Sequence, residues 1–193
     1  MAQTQEQVVR VDEATFPPAG TYQLDLSHTN AEFVARHMLS KVRGRFTDLS
    51  GAIEVGARPE DSRVDVEIRT ASVETDDAKR DEHLRSADFF ETEAFPTITF
   101  RSTAVRRTGG NGFELDGELT IKDVTKPVTL AGSFLGWGRD MWGNDRIFAE
   151  AATRVNREDW GLTWNVAVEV GGVLVSKEID LEINVEAAKP ADA

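Results

Sequence analysis

The stretch RVDVEIR at Arg63–Arg69 decides the fold class, because its apolar and charged residues alternate with a period of two. Successive side chains of a β-strand point to opposite faces, so this pattern puts Val64, Val66 and Ile68 together on one face. The charged residues then face water on the other side. The stretch therefore predicts a strand that is buried on one face only.

The same alternation recurs along most of the chain and predicts about eight strands in an all-β domain. Two of the rows carry small residues on the inner face, which leaves space beside them. The rows are Phe33, Ala35 and His37; Ile98, Phe100, Ser102 and Ala104; Phe113, Leu115, Gly117, Leu119 and Ile121; Val128, Leu130, Gly132 and Phe134; Ala149, Ala151, Thr153 and Val155; and Ile179, Leu181, Ile183 and Val185.

Turn signals separate these rows and suit an antiparallel meander. They lie at residues 48–51, 58–59, 109–112 and 136–144. Residues 75–90 lack alternation and are rich in charge, so they predict a short helix with Thr75 or Asp76 as its N-cap. Strands with one buried face form a sandwich or a closed up-and-down barrel, and closure removes exposed edges.

Composition and charge exclude several functional classes. The 34 acidic and 22 basic residues give a net charge of -12, so phosphate backbones repel the chain and we expect no nucleic-acid partner. The chain has no cysteine, which excludes disulfides and thiolate metal sites. We find no nucleophile elbow and no phosphate-binding glycine loop, so we expect no catalytic residue and no cofactor.

The two ends of the chain differ from its centre. We predict a flexible N-terminal extension at residues 1–19, a barrel domain at 20–186 and a flexible tail at 187–193. The N-terminal residues are polar and acidic where a secretory signal needs a basic cluster and an apolar run. We therefore expect a cytoplasmic protein, and with no stretch of membrane-spanning length we expect no stable insertion into a bilayer.

Four motifs, in this order along the chain, resemble the bacterial YceI-like polyisoprenoid-binding family. They read VETD at 73–76 followed by RDEHLRSADFF at 80–90, then FPTITF at 95–100, GELTIKDVTKPV at 117–128 and REDWG at 157–161. The resemblance implies an eight-stranded, antiparallel, lipocalin-like extended barrel with a short helix near one end. It also implies an apolar lumen that holds a polyprenyl chain or an isoprenoid quinone, without enzymatic activity.

One departure from the family pattern concerns the width of this lumen. Ala149 stands where family members usually have phenylalanine, and Phe148 where they often have glycine. We expect either a wider lumen at this level or a Phe148 side chain that points outward.

Parity within each strand gives the ligand-binding residues that we predict along the lumen. His37 is in phase with its neighbours, so it either donates a hydrogen bond to a quinone carbonyl or has a structural role. The predicted lumen residues are Phe33, Ala35, His37, Val64, Val66, Ile68, Ile98, Phe100, Leu115, Leu119, Phe134, Val155, Ile179 and Leu181.

Other interpretations of the same residues stay open at this point. The apolar rows also fit a barrel filled by its own side chains, as in a stress-related interaction protein. An enzyme acting on the lipid would use His37 or His83 as a general base. Arg157 either braces the neighbouring carboxylate of Asp159 or meets a ligand diphosphate. Aromatic residues near one end leave a homodimer open, and we expect no metal site.

Overall fold

The structure, a computed structural model, describes residues 16–167 and 174–190. One short α-helix, α1 (Ala78–Arg85), accompanies the strands, with 3-10 helices at Pro59–Asp61, Thr70–Ser72 and Arg157–Trp160. The strands are β1 (Gly20–Leu24), β2 (Asn30–His37), β3 (Ser40–Phe46), β4 (Leu49–Val55), β5 (Arg63–Arg69), β6 (Val73–Glu74), β7 (Thr97–Gly109), β8 (Gly112–Ile121), β9 (Val124–Arg139), β10 (Asp145–Asn156) and β11 (Glu178–Lys189).

Several of these strands are consecutive parts of one longer strand. Both β1 and β2 pair with the same edge of β11, with Gln23 opposite Ala188 and Val34 opposite Asp180. In the same way β3 and β4 continue one another, since β3 pairs with β2 and β4 pairs with β1. The short β6 extends β5 and pairs with β3. The eleven segments therefore form eight long strands.

Hydrogen bonding between neighbouring strands closes the sheet into a ring. The order is β1-β4-β5-β7-β8-β9-β10-β11, and β11 returns to β1 through Leu24 opposite Ala187. All the pairings are antiparallel, and successive long strands are neighbours. The predicted eight-stranded, up-and-down, lipocalin-like barrel with one short helix is confirmed.

The segment Arg63–Arg69 forms β5 with the predicted parity. Val66 lies opposite Phe100 and Ile68 opposite Ile98, so the apolar rows of β5 and β7 share the inner face. Asp65 lies opposite Arg101 on the outer face, where both side chains are exposed. The alternation of apolar and charged residues thus determines which side chains of β5 face the inside of the barrel and which face solvent.

The barrel has two distinct ends. We call the end that carries α1 and the 3-10 helix Arg157–Trp160 the helix end. The opposite end carries the connections at residues 56–62, 110–111 and 140–144, and we call it the turn end. An apolar cluster lies near each end, one around Phe89 and Trp160 and the other around Tyr22 and Ile147.

The turn predicted at residues 48–51 is wrong, because β4 begins at Leu49 and continues through Gly51. Gly51 lies opposite Val66, and a side chain there would overlap the backbone carbonyl of Asp65. The glycine therefore permits a close approach of two strands. The connection predicted at 136–144 is also shorter than expected, since β9 continues to Arg139.

The ends of the barrel domain also differ from the prediction. Ala187 is fully buried, and β11 extends to Lys189, so the first residues of the predicted flexible tail belong to the last strand. At the other terminus Pro17 is buried, and the hydroxyl of Tyr22 donates a hydrogen bond of 2.8 Å to the carbonyl of Pro18. Residues 1–15 and 191–193 lie outside the described residues.

The N-cap of the helix lies one residue after Asp76 and two residues after Thr75, the two predicted cap positions. Asp77 is the N-cap, and its carboxylate accepts hydrogen bonds from the backbone N–H groups of Lys79 and Arg80, both at 3.1 Å. A carboxylate at this position satisfies backbone donors that the first turn leaves without partners. The backbone of Asp76 has φ of 60°, so the chain turns sharply just before the cap.

Candidate functional site: an apolar cavity in the barrel

A cavity of about 610 Å³ lies inside the barrel, between the apolar clusters of its two ends. This volume falls in the range typical of small-molecule sites. Inward rows of Val, Ile, Leu and Phe from the barrel strands form its wall. A 12-residue strand such as β11 is about 40 Å long, and with the usual tilt of barrel strands it spans about 30 Å along the axis. The barrel is therefore elongated, and the cavity inside it is apolar.

The predicted lumen residues line this cavity, with His37 as the exception. They come from seven of the strands and converge on one space because each was assigned by its parity. Those that line the cavity are Phe33, Ala35, Val64, Val66, Ile68, Ile98, Phe100, Leu115, Leu119, Phe134, Val155, Ile179 and Leu181.

The prediction that His37 faces the lumen is wrong. His37 is the last residue of β2, pairs with Ser40 at the turn into β3 and is exposed. Its parity matches that of Phe33 and Ala35, but β2 extends beyond the end of the cavity. The other histidines, His28 and His83, do not line the cavity either. The enzyme hypothesis with a histidine base in the lumen therefore loses its candidate residues.

Small residues that were not predicted as site residues widen the middle of the cavity. Ala149 and Ala151 of β10 line it, as does Ala31 of β2, whereas Phe148 does not. The β9–β10 register shifts between Phe148 and Ala149, which is a β-bulge. Phe148 thus points away from the cavity, and the small side chain of Ala149 faces it. A large inward side chain at position 149 would reduce the cavity volume.

Three phenylalanine rings of the wall lie against glycines of the neighbouring strand. Side chains built at Gly44, Gly117 and Gly132 would overlap the rings of Phe33, Phe100 and Phe113 respectively. Because each ring occupies the space above a glycine, it lies along the wall and away from the axis of the barrel. This arrangement combines a large apolar surface with an open centre.

The replacement Gly44→Ala is expected to reduce lipid binding several-fold, because the new methyl group displaces the Phe33 ring toward the axis. Overpacking of this kind costs about 1–3 kcal/mol of stability. Titration with a long-chain lipid, with chemical unfolding in parallel, checks both effects. The double variant Phe33→Ala/Gly44→Ala removes the clash and should recover binding. Unchanged lipid affinity in Gly44→Ala would contradict this role of the glycine.

Aromatic side chains close the helix end. Trp160 is buried, and its indole Nε1 donates a hydrogen bond of 3.1 Å to the carbonyl of Leu119. Trp164 packs edge-on against His83, at 4.6 Å between ring centroids, and also contacts Phe89. These rings form a wide apolar floor beneath the cavity.

The charged residues of the RDEHLRSADFF motif attach α1 to the rest of the protein. They do so mainly by hydrogen bonds to Thr75 and Val73, which precede this motif. Asp81 is buried and accepts hydrogen bonds from the backbone N–H and the hydroxyl of Thr75, at 2.8 and 2.5 Å. Arg80 donates to the hydroxyl and carbonyl of Thr75, and Arg85 donates to the carbonyl of Val73 at 2.7 Å. The motif therefore has a structural role at the helix end.

Arg157 is a charged cavity-lining residue at the helix end, and it is only 6% exposed. Its Nε donates to the carbonyl of Ser176 at 2.9 Å, and its Nη1 donates to the carbonyl of Leu162. It braces backbone carbonyls, and the predicted bond to the neighbouring Asp159 is not among its contacts. Burial lowers the pKa of Arg157, while Glu158 opposes that shift, yet a guanidinium stays charged at neutral pH.

The turn end is lined by connecting segments and by the chain that precedes β1. Phe16, Pro17, Pro59 and Asn111 contact the cavity there, and Phe16 is 40% exposed. The nearby β9–β10 connection carries Trp142, which is 71% exposed. The wall is therefore less completely covered at the turn end than at the helix end.

One group of potential metal ligands lies outside the cavity. Ligand atoms of Asp25, His28 and Glu186 lie within 4.8 Å of one another. Both carboxylates already form ion pairs with Arg146, so a cation at this point would compete with a guanidinium. No helix among the described residues is long and apolar enough to cross a membrane.

Residues 22–187 match the family described as "YceI-like domain". A UPF0312 protein of Azotobacter vinelandii is 38% identical over 175 residues, which is 89% of this chain and 88% of the relative. The solved structure of a Campylobacter jejuni YceI protein has a TM-score of 0.71 and 29% identity, and covers 81% of this chain and 90% of that one.

A second solved structure extends the likeness of fold. A polyisoprenoid-binding domain from Saccharophagus degradans has a TM-score of 0.64 and 15% identity, with 90% of this chain and 100% of that one covered. At this identity the likeness concerns the barrel architecture alone.

Proposed function

The chain belongs to the YceI-like domain family, and from this premise we propose that it binds a long-chain isoprenoid lipid inside its barrel, as a carrier or store. The observation that carries the proposal is the cavity of about 610 Å³ inside a closed barrel whose inner rows are apolar. The polyisoprenoid-binding domain of similar fold supports the choice of ligand class.

The physical fit between ligand and site is one of apolar surface. A polyprenyl chain or the tail of an isoprenoid quinone has many methylene and methyl groups and few hydrogen-bonding ones. Each methylene removed from water contributes about 0.8 kcal/mol. Binding therefore strengthens with tail length until the cavity is filled. A barrel filled by its own side chains would leave no space of this kind, so the cavity disfavours the interaction-protein alternative.

The proposal makes the protein a binding module and gives it no catalytic step. The enzyme alternative needed a lumen histidine, and the three histidines lie away from the cavity wall. The cytoplasmic location and the homodimer stay predictions.

A thermal-shift series with polyprenols of increasing length tests the proposal. We expect the Tm to rise with tail length and then to level off, because a ligand that binds only the folded state stabilises it. A saturated straight-chain alcohol, shorter than the polyprenols of the series, serves as a control for non-specific apolar binding. If no polyprenol of any length raises the Tm, the proposed function is wrong.

A further inference from the structure

The guanidinium of Arg157 is unusual among the groups that line the cavity, because one of its amines lacks a hydrogen-bond partner within the described part of the chain. Its Nη2 is buried and has no hydrogen-bond partner among the described residues. The Nε and Nη1 of the same side chain are held by the carbonyls of Ser176 and Leu162, so the guanidinium is fixed in place. A buried donor left without a partner is costly, and a charged one more so.

The charge of Arg157 also has no carboxylate in direct contact among residues 16–167 and 174–190. Burial lowers the pKa of Arg157 and Glu158 raises it through space, but the Glu158 carboxylate pairs with Lys177 at 2.8 Å, and the described ion pairs include none between Arg157 and an acidic group. Other charged residues touch the cavity, but Arg107 and Glu150 are exposed, and Glu32 is within 3.4 Å of Arg43. A buried cation without a counter-ion is normally avoided, because its desolvation is not offset by an opposite charge.

We infer that Arg157 is the head-group site of the lumen and that it binds an anionic oxygen of the lipid, such as a phosphate or a carboxylate. This inference rests on the proposed lipid-binding function. The Nη2 group donates to the anionic oxygen, and the backbone carbonyls keep the donor in position before the ligand arrives. The head group then lies at the helix end beside Trp160 and Leu162, with the tail directed toward the turn end.

An anion fits this position better than a neutral oxygen does. A quinone carbonyl would satisfy the hydrogen bond of Nη2 but would leave the guanidinium without a counter-ion in direct contact. A phosphate or carboxylate provides both the acceptor and the counter-charge, and charge-assisted hydrogen bonds are the stronger class. The surrounding apolar wall excludes water and so strengthens the pairing.

The test compares three probes of equal chain length: a polyprenyl monophosphate, the polyprenol, and the corresponding carboxylic acid. Wild-type protein is expected to bind the monophosphate or the acid roughly 10- to 100-fold more tightly than the polyprenol. The monophosphate and acid arms show which anion the site accepts. In Arg157→Gln this preference should disappear, because the anionic probes lose their counter-charge.

Arg154 provides the matched control, since it lies three residues earlier, is 65% exposed and pairs with Asp180 on the outer face. Arg154→Gln should keep the anion preference of the wild type. The inference is overturned if the wild type binds the polyprenol as tightly as both anions, or if Arg157→Gln keeps the preference. The comparison of the three probes on the wild-type protein tests the inference even if Arg157→Gln does not fold. If no probe binds the wild type, the proposed function itself fails, and that result is distinct from equal binding of all three.

Discussion

Replacing Ala151 by tryptophan is expected to lower lipid affinity roughly tenfold or more and to leave the barrel folded. Ala151 lines the middle of the cavity, opposite Gly132 on one side and Ile183 on the other. An indole at this position occupies the path of the lipid tail. Loss of burial for as few as two methylene groups, at about 0.8 kcal/mol each, accounts for a change of this size.

Ala152→Trp is the matched control, because Ala152 is the next residue of β10 and faces outward, where it is exposed. The two variants make the same chemical change in adjacent positions of one strand. Lipid titration of both proteins, with circular dichroism to check folding, separates a blocked cavity from a damaged sheet. Equal affinities of the Ala151→Trp and Ala152→Trp proteins would contradict a ligand inside the barrel.

Replacing Arg146 by methionine is expected to destabilise the fold by about 2 kcal/mol at neutral pH, between the values for surface and buried ion pairs, because its side chain is partly buried. Arg146 contacts Asp25 at 2.8 Å and Asp140 at 3.0 Å, and it also pairs with Glu186. Asp25 lies in the connection between β1 and β2, Asp140 lies in the connection between β9 and β10, and Glu186 lies in β11. The arginine therefore joins three elements near the place where β11 returns to β1.

The destabilisation should depend on pH in a defined direction. Burial by itself raises the pKa of Asp140, but hydrogen bonds from Asn144 and Arg146 and from backbone N–H groups outweigh it, and the pKa falls from 3.8 to about 2. A lowered carboxyl pKa stabilises the folded state above the ordinary pKa, and this stabilisation is lost as pH falls through the lowered value. The difference in free energy of unfolding between wild type and Arg146→Met should therefore decrease from pH 4 toward pH 2.

Urea unfolding at a series of pH values measures this difference. Arg106→Met is the control, since Arg106 also pairs with two carboxylates, Glu114 and Asp116, but is 48% exposed. Exposed pairs contribute little, so this variant should change the free energy of unfolding much less. An Arg146→Met protein as stable as the wild type would show that these ion pairs contribute little to the fold. A difference in stability that stays constant with pH would contradict the role given to Asp140.

The sequence predicts the wall of the cavity well, because strand parity alone decides which side chains face inward. In β5, Val64, Val66 and Ile68 line the cavity as their alternation indicates. Parity does not say how far along the strand the cavity extends, and this explains the failure at His37. That residue has the inward phase but lies at the end of β2 beyond the cavity.

Features that depend on contacts between distant segments are harder to predict. Glycine is common in turns, so the sequence places Gly51 in one. Only the close approach of Asp65 on the neighbouring strand shows why a glycine is needed in β4. The small strand β1 was not predicted, since its five residues are too few for a periodic signal. Arg157 belongs to a sequence motif, but only the placement of Ser176 and Leu162 around it shows that its Nη2 has no partner within the described segments.

The central claim is that the barrel carries a lipid, and native mass spectrometry of the protein purified from its own host tests it most directly. We expect a bound mass in stoichiometric amount, which organic extraction identifies as an isoprenoid lipid with an acidic head group. Protein that is free of lipid when isolated, and that also gains no stability from added polyprenol, polyprenyl phosphate, quinone or fatty acid, would contradict the account.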